Sequence, residues 1–506
     1  MTGQTATIRG VMFARHAGMW GGHRQMAAPP CFEPLSHLIR HNVPGHDCRR
    51  LAGGYSVYCA ARGLTLGVIL SAPPPAEPIR LARCRMARRD QSHPFLVLFA
   101  LWLMVFSASS QVIIVSPILP RIGEALNIAE AYQGWLITSY AVFLSLFALI
   151  IGPISDKFGR RLVILLGCGS MAVALWLHGV VENFAQLLTM RAAAGAAGGM
   201  LSGAAVSYVG DYFPYNKRGW ANGWVMSGIA VGQIIGIPIG TLLADWFGFK
   251  GAFLMFAGTM TLTTILIWFY VPQPDVQRNT NRLTLSSAIA GYRELLGRRV
   301  VVAASATYFL MFFSIGLYVI YLPTWLEQHL GVEGTAIASL FFVGGIANVI
   351  AGPSAGKLSD RTGRKPLIIV SCLGLALVMV VTTYLTTSML MAYLLFGFAM
   401  IMFALRISPL QSLMTAIVEE QRRGALLALA VAIGQIGIGL GGAAAGIAYV
   451  KYGYVSNTIT GAIAIVGMAM LVHWTLPEPK NDRHAVPPSA DDAPSGPSET
   501  PPAETS

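Results

Sequence analysis

Charged residues are scarce in this sequence. Asp, Glu, Lys and Arg make up 11% of its 506 residues, against a hydrophobic share of 54%. Soluble domains carry about a quarter charged residues, so most of this chain cannot face water. Cysteine is scarce too: six in all, four of them within residues 1–85. Cys168 and Cys372 stand alone in apolar runs, where a thiol behaves as a small apolar group, and nothing indicates a disulfide framework. No Gly-x-x-x-x-Gly-Lys-Ser/Thr stretch occurs, which excludes that phosphate-cradling loop and ATP-driven work through it. No Ser/His/Asp, metal or nucleotide constellation stands out, so an enzyme is not expected, nor a cofactor or metal. Cys31, His37, His41, His46 and Cys48 gather near the start, but their spacings fit no zinc pattern.

Apolar sequence fills the chain instead. Twelve runs long enough to cross a bilayer follow one another, at roughly 95–119, 132–151, 162–181, 185–209, 220–243, 251–271, 300–323, 335–355, 366–386, 388–417, 424–447 and 455–475. Six lie on each side of a polar segment at 272–299. This predicts an all-α membrane protein of twelve transmembrane helices: one six-helix bundle over 86–271, a linker over 272–299 and a second bundle over 300–476. Glycine, at 54 residues, suits the close helix contacts of such bundles. Residues 1–85 lack sustained periodicity, and residues 477–506 are rich in Pro, Ser, Asp and Glu. Both are expected to be disordered.

The net charge of +12 is informative through its placement. Alternate links hold Lys157, Arg160, Arg161, Lys217, Arg218, Arg278, Arg282, Arg293, Arg298, Arg299, Lys357, Arg361, Arg364, Lys365, Arg422 and Arg423. The intervening links hold only Arg121, Lys250 and Lys451. This asymmetry predicts that the basic links and both termini face the cytoplasm of a bacterial inner membrane. Spans separate these charges, so they form no patch for nucleic acid.

One basic link occurs twice. Gly152-Pro153-Ile154-Ser155-Asp156-Lys157-Phe158-Gly159-Arg160-Arg161 returns as Gly356-Lys357-Leu358-Ser359-Asp360-Arg361-Thr362-Gly363-Arg364-Lys365, shifted by 356 − 152 = 204 residues. Two halves on one plan around a central site are the usual architecture of secondary transporters. Gly152 and Gly159, with Gly356 and Gly363 in the second copy, permit close approach and tight turning. Asp156 and Asp360 can face a helix N-terminus. Arg160, Arg161, Arg364 and Lys365 can pair with those acids. A second echo joins Val231-Gly232-Gln233-Ile234 to Ile433-Gly434-Gln435-Ile436, offset by 435 − 233 = 202. Gln233 and Gln435 can hydrogen-bond across a helix interface or face a cavity.

The doubled loop resembles the signature of the major facilitator superfamily, and the resemblance covers about 95–476. Arg191-Ala192-Ala193-Ala194-Gly195 in the fourth run is similar to a further family element. Gly228, Gly232, Gly236, Pro238 and Gly240 in the fifth resemble the glycine-proline packing motif of the antiporter branches. Here Ile237 separates Gly236 from Pro238, where the family pattern has them adjacent. Pro117-Ile118-Leu119-Pro120 resembles the drug:proton antiporter branch. The resemblance implies two pseudo-symmetric six-helix bundles around a cavity that opens alternately to each side. It also implies that the doubled loop latches the cytoplasmic side when the cavity faces outward. Efflux of a small solute with proton exchange is the leading expectation. Proton-coupled uptake, or exchange of a small organic anion, is the alternative. The expected partners are the solute, protons and membrane lipid, with the chain acting as a monomer.

Two charges lie deep in the runs, Arg191 and Arg406, and no Asp or Glu is expected inside a span. An intramembrane charge is expensive and so a functional candidate. Two cations without a carboxylate suit an anionic or hydrogen-bond-accepting solute. Gln111, Tyr140, Tyr318 and Tyr321 are the candidate cavity partners, since tyrosine offers both a ring face and a hydroxyl.

Overall fold

The computed structural model describes residues 94–274, 285–419 and 423–476. Twelve helices are long and apolar enough to cross a membrane. They are α1 Pro94–Ile113, α2 Glu130–Gly152, α3 Arg160–Val180, α4 Phe184–Tyr212, α5 Tyr215–Phe247, α6 Phe249–Tyr270, α7 Arg299–Leu330, α8 Gly334–Thr362, α9 Arg364–Leu385, α10 Met389–Met414, α11 Gly424–Tyr452 and α12 Tyr454–Thr475. A helix at Val115–Ala125 extends α1, and another at Leu285–Leu296 lies in the linker. Helices satisfy their backbone polar groups internally, which lipid requires. Large apolar side chains such as Phe99, Leu166, Val370, Leu377 and Ile463 are exposed on the exterior, which suits acyl chains. The regions 1–85 and 477–506, expected to be disordered, lie outside the described residues.

The two halves repeat one packing plan. In the first, α1 packs on α5, α2 on α4 and α3 on α6. In the second, α7 packs on α11, α8 on α10 and α9 on α12. The halves meet where α2 packs on α11 and α5 on α8. The joints repeat as well. Gly159 (φ +104°) turns α2 into α3, and Gly363 (φ +91°) turns α8 into α9. Side chains rarely adopt this conformation, which is why glycine stands at both. Gly248 (φ +76°) and Gly453 (φ +71°) repeat it before α6 and α12. Asn183 and Ser388 cap α4 and α10, each side-chain oxygen accepting the backbone N–H three residues on, from Gln186 and Met391.

Helical structure runs past the apolar runs, so α2, α4, α5, α7 and α8 carry Glu130, Asp211, Asp245, Glu327 and Asp360 near their ends, outside the runs expected to lack acids. Hydropathy marks where apolar side chains stop, whereas backbone hydrogen bonding continues into the membrane interface. The deep interior still holds Arg191 and Arg406 as its fully buried charges among the described residues.

Candidate functional site: a central cavity between the halves

A cavity of about 200 Å³ lies between the halves. Residues of α2 and α5, α7 and α8, α10 and α11, together with Val112, Ile113 and Ser116, form its wall. Ile137, Ile237, Ile315, Phe341, Phe396, Met400 and Phe403 make that wall largely apolar. Its polar side chains are Ser116, Tyr140, Gln233, Asn348 and Gln435. Among the described residues, no charged side chain lines it.

Local backbone geometry explains how Gln233 reaches the wall. Pro238 has no N–H to give to Ile234, and in a regular α-helix its ring would crowd that carbonyl. The helix responds with a π turn over Gly232–Gly236, which ends with the Ile237 N–H donating to the Gly232 carbonyl. The nearby glycines let α5 lie on α1. A Cβ at Gly228 would stand 2.7 Å from the Trp102 carbonyl, and at Gly240 2.8 Å from Ile114; at Gly232 it would collide with Ser110. At Gly236 it would stand 2.6 Å from the same serine hydroxyl. On the cavity side, Asn348 Nδ2 of α8 donates to Gln233 Oε1 at 2.7 Å, a bond between the two halves. Asn348 was not singled out from the sequence, because a lone amide in an apolar run carries no motif.

Arg191 stands behind the wall. Its Nη1 donates to the Gln111 side-chain oxygen at 3.1 Å and to the Gln111 carbonyl at 3.4 Å. Gln111 Nε2 donates to the Tyr140 hydroxyl at 3.0 Å, and the guanidinium carbon lies 4.6 Å from the Tyr140 ring centre. Tyr140 therefore separates Arg191 from the cavity. Arg406 is likewise buried off the wall, 5.2 Å from the ring centre of Phe403, which does line the cavity. None of its three nitrogens meets a hydrogen-bond partner among the described residues, although the Cys372 thiol is its polar neighbour. Tyr318 bonds Thr382 at 3.0 Å. Tyr321 accepts the Gly134 N–H at 3.0 Å and donates to the Glu130 carbonyl. Both tyrosines are interior packing groups away from the cavity wall. The candidates from sequence thus divide: Tyr140, Gln233 and Gln435 on the wall, Gln111 and Arg191 one layer behind Tyr140, Arg406 behind Phe403, and Tyr318 and Tyr321 elsewhere.

At the end carrying the basic loops, the doubled motif grips neighbouring helices. Arg160 Nε pairs with Asp211 of α4 at 2.9 Å, and its Nη1 donates to Ser155 at 3.3 Å. Arg161 Nη2 donates to the Trp268 carbonyl near the end of α6 at 2.6 Å. Lys365 Nζ donates to the His473 carbonyl near the end of α12 at 2.9 Å. The two donors are 365 − 161 = 204 residues apart and the two acceptors 473 − 268 = 205, so each half caps its sixth helix alike. Cations suit helix C-termini because carbonyls there lack partners. Asp360 lies in the last turns of α8, and Arg364 opens α9. The side chain of Asp156 lies outside the described part. A Cβ at Gly356 would stand 3.4 Å from Ser408, while one at Gly152 would meet nothing within 4 Å.

At the opposite end the halves are tied together. Arg121, just beyond α1, pairs with Asp245 of α5 at 2.8 Å and with Glu327 of α7. Gln328 Nε2 donates to Glu130 at 2.7 Å, and the Tyr449 hydroxyl donates to Gln328 Oε1 at 2.6 Å.

Residues 101–405 and 308–503 match the model of the Major Facilitator Superfamily. This chain belongs to that superfamily. It is 26% identical over 381 residues to an uncharacterized MFS-type transporter, YwfA, of Bacillus subtilis, covering 75% of this chain and 92% of the relative. It is 28% identical over 299 residues to the multidrug resistance protein MdtG of Proteus mirabilis, covering 56% of this chain and 72% of the relative. The fold is similar to the crystal structure of a D-xylose-proton symporter, with TM-score 0.64, 18% identity, and coverage of 76% of this chain and 99% of that one. It is also similar to the human organic anion transporter MFSD10, with TM-score 0.59, 15% identity, and coverage of 76% and 100%. The protein is a multi-pass membrane transporter of the Major Facilitator Superfamily.

Proposed function

We propose that this transporter exports small, largely apolar solutes by alternating access, in exchange for protons, with the basic-loop end and both termini on the cytoplasmic side of a bacterial inner membrane. The observation that carries this reading is the cavity wall: hydrocarbon and aromatic surface, interrupted by neutral hydrogen-bonding groups and free of charge. Such a wall takes up apolar bodies and orients them by a few polar contacts. The similarity to the multidrug resistance protein MdtG supports export. The arrangement fits a state closed at the far end, where Arg121, Asp245 and Glu327 join the halves. One chain supplies both sides of the cavity, so a monomer suffices.

A second reading rests on Arg406. A guanidinium buried with the Cys372 thiol as its polar neighbour and no carboxylate partner among the described residues, one ring away from the cavity, favours an anionic solute that reaches it when Phe403 moves. On that reading the protein takes up or exchanges a small organic anion. Flux into proteoliposomes under an imposed proton gradient separates the readings. Export predicts movement of neutral apolar solutes opposite to the proton flow. Flux of anions indifferent to the gradient but dependent on a counter-anion supports the second reading.

A further inference from the structure

We infer that Gln233 and Asn348 form a solute-sensitive clasp between the halves: a hydrogen-bonding group on the solute replaces one amide of the pair and frees α5 from α8. This rests on the reading that the central cavity holds the solute.

The 2.7 Å bond differs in kind from the neighbouring hydrogen bonds between the halves. Ser116 donates to the carbonyls of Val319 and Ile320, Thr138 to that of Gly439, and Ser145 to that of Ala432. Those acceptors are main-chain atoms of helices, so their bonds break only when a helix moves. Gln233 and Asn348 meet through side chains at both ends, and a rotation about side-chain bonds changes their partner without moving either helix. Both amides line the cavity, so a solute can reach them. The Tyr140 hydroxyl, by contrast, is engaged by Gln111 within its own half.

Backbone geometry makes this contact a sensible hinge point. Gln233 sits within the π turn that accommodates Pro238, and such turns allow a helix to shift register locally. Gly345 of α8 lies so close that a Cβ there would stand 3.1 Å from the Gln233 backbone. The side-chain bond therefore lies at a tight crossing of the two halves. The repeat also shows that the clasp is one-sided. Gln435 is the counterpart of Gln233, but position 348 − 204 = 144 is Leu144, so α2 offers Gln435 no matching amide. The cavity thus carries one clasped amide pair and one unclasped amide. A solute bonded to Gln435 can then compete for Asn348 or Gln233. Carboxamides both donate and accept, so a carbonyl, amide or hydroxyl on the solute can substitute for the lost partner. A pure hydrocarbon cannot, and would leave both amides unsatisfied in an apolar wall.

The test uses Nile red, a neutral dye with a hydrogen-bond-accepting carbonyl, and spin labels on α5 and α8 of the full chain in lipid nanodiscs. In the wild type, Nile red should lengthen the α5–α8 distance distribution. Gln233→Leu and Asn348→Leu should each lengthen it without dye and remove the response to dye. Gln233→Leu leaves the Asn348 amide free to donate to the dye and should lower the half-saturating dye concentration for flux severalfold, whereas Asn348→Leu removes that donor and should raise it by roughly tenfold, the worth of one hydrogen bond. In dye-free distance the double variant should match either single one, because the same bond is lost in all three. Additive lengthening would overturn the clasp, as would single variants whose dye-free distances match the wild type. A wild type that transports Nile red without any distance change would overturn its solute sensitivity. A wild type that does not move Nile red at all counts against the cavity reading of the solute. The dye-free distances of the variants still decide whether the bond holds the halves together.

Discussion

Arg121 and Glu327 join the two halves at the end opposite the basic loops, with Asp245 on the other edge of the same guanidinium. Arg121 thus closes a small network in which one cation serves a carboxylate from each half. Its side chain is 23% exposed and those of its partners 17%, so solvent screens the network only in part. Replacing Arg121 by Gln should remove about 1 kcal/mol of support for the closed far end, roughly a fivefold shift in population. The measurement is labelling of a cysteine introduced at Gln133, in a background without other cysteines, by an impermeant maleimide added from that face. Labelling should quicken several-fold. An unchanged rate means the apolar contacts alone keep that end shut.

Arg406 is a cost that stability alone does not explain. A fully buried guanidinium that meets the Cys372 thiol but no carboxylate among the described residues leaves a charge uncompensated in a low-dielectric interior. Arg406→Met keeps the length of the side chain and removes the charge. It should stabilise the purified protein by on the order of 1–4 kcal/mol, seen as a higher thermal midpoint. If Arg406 serves transport, flux should fall as stability rises. A variant that is both more stable and fully active leaves the anion reading without its residue.

The sequence showed the plan of this fold better than its contacts. Twelve runs and the doubled loop were legible because burial in lipid and a repeated motif leave marks on residue type. The joints at Gly248 and Gly453, and the caps at Asn183 and Ser388, repeat just as closely in three dimensions. They passed unnoticed because each is a single residue with different neighbours. The basic residues of the loops were expected to meet the loop acids. Arg161 and Lys365 reach main-chain carbonyls, which no side-chain pattern advertises. The cavity was legible in Tyr140, Gln233 and Gln435. The deep arginines pointed to charge in the cavity, because sequence gives depth along a helix but not which face of it a side chain occupies.

The capping pair supplies its own test. Arg161→Gln and Lys365→Gln each remove a cation from the C-terminal end of the sixth helix of a half. Each should cost about 0.3–1 kcal/mol, and the two effects should add because the sites lie in separate halves. Thermal unfolding of the two singles and the double checks this. A strongly non-additive double would mean that the two loops act as one unit across the halves.

The glycines of the doubled loop separate conformation from packing. Gly159 and Gly363 adopt φ of +104° and +91°, so alanine at either is strained whatever space surrounds it. At Gly159 the new Cβ would also stand 2.8 Å from the Gln273 amide. Each substitution should cost about 1–2 kcal/mol and lower the yield of folded protein. Gly152 is different. Its backbone is helical, and a Cβ would meet nothing within 4 Å. Gly152→Ala should therefore leave the thermal midpoint of this state unchanged or slightly raised, since alanine favours the helix. In an alternating-access cycle the same position must also suit the state in which the basic-loop end is closed, where α2 has moved against the opposite half. If the glycine is kept for that state, Gly152→Ala should slow flux severalfold at undiminished stability and abundance. Solute flux and thermal unfolding measured on one preparation decide the point. Normal flux in that variant would show that Gly152 is not needed for closure.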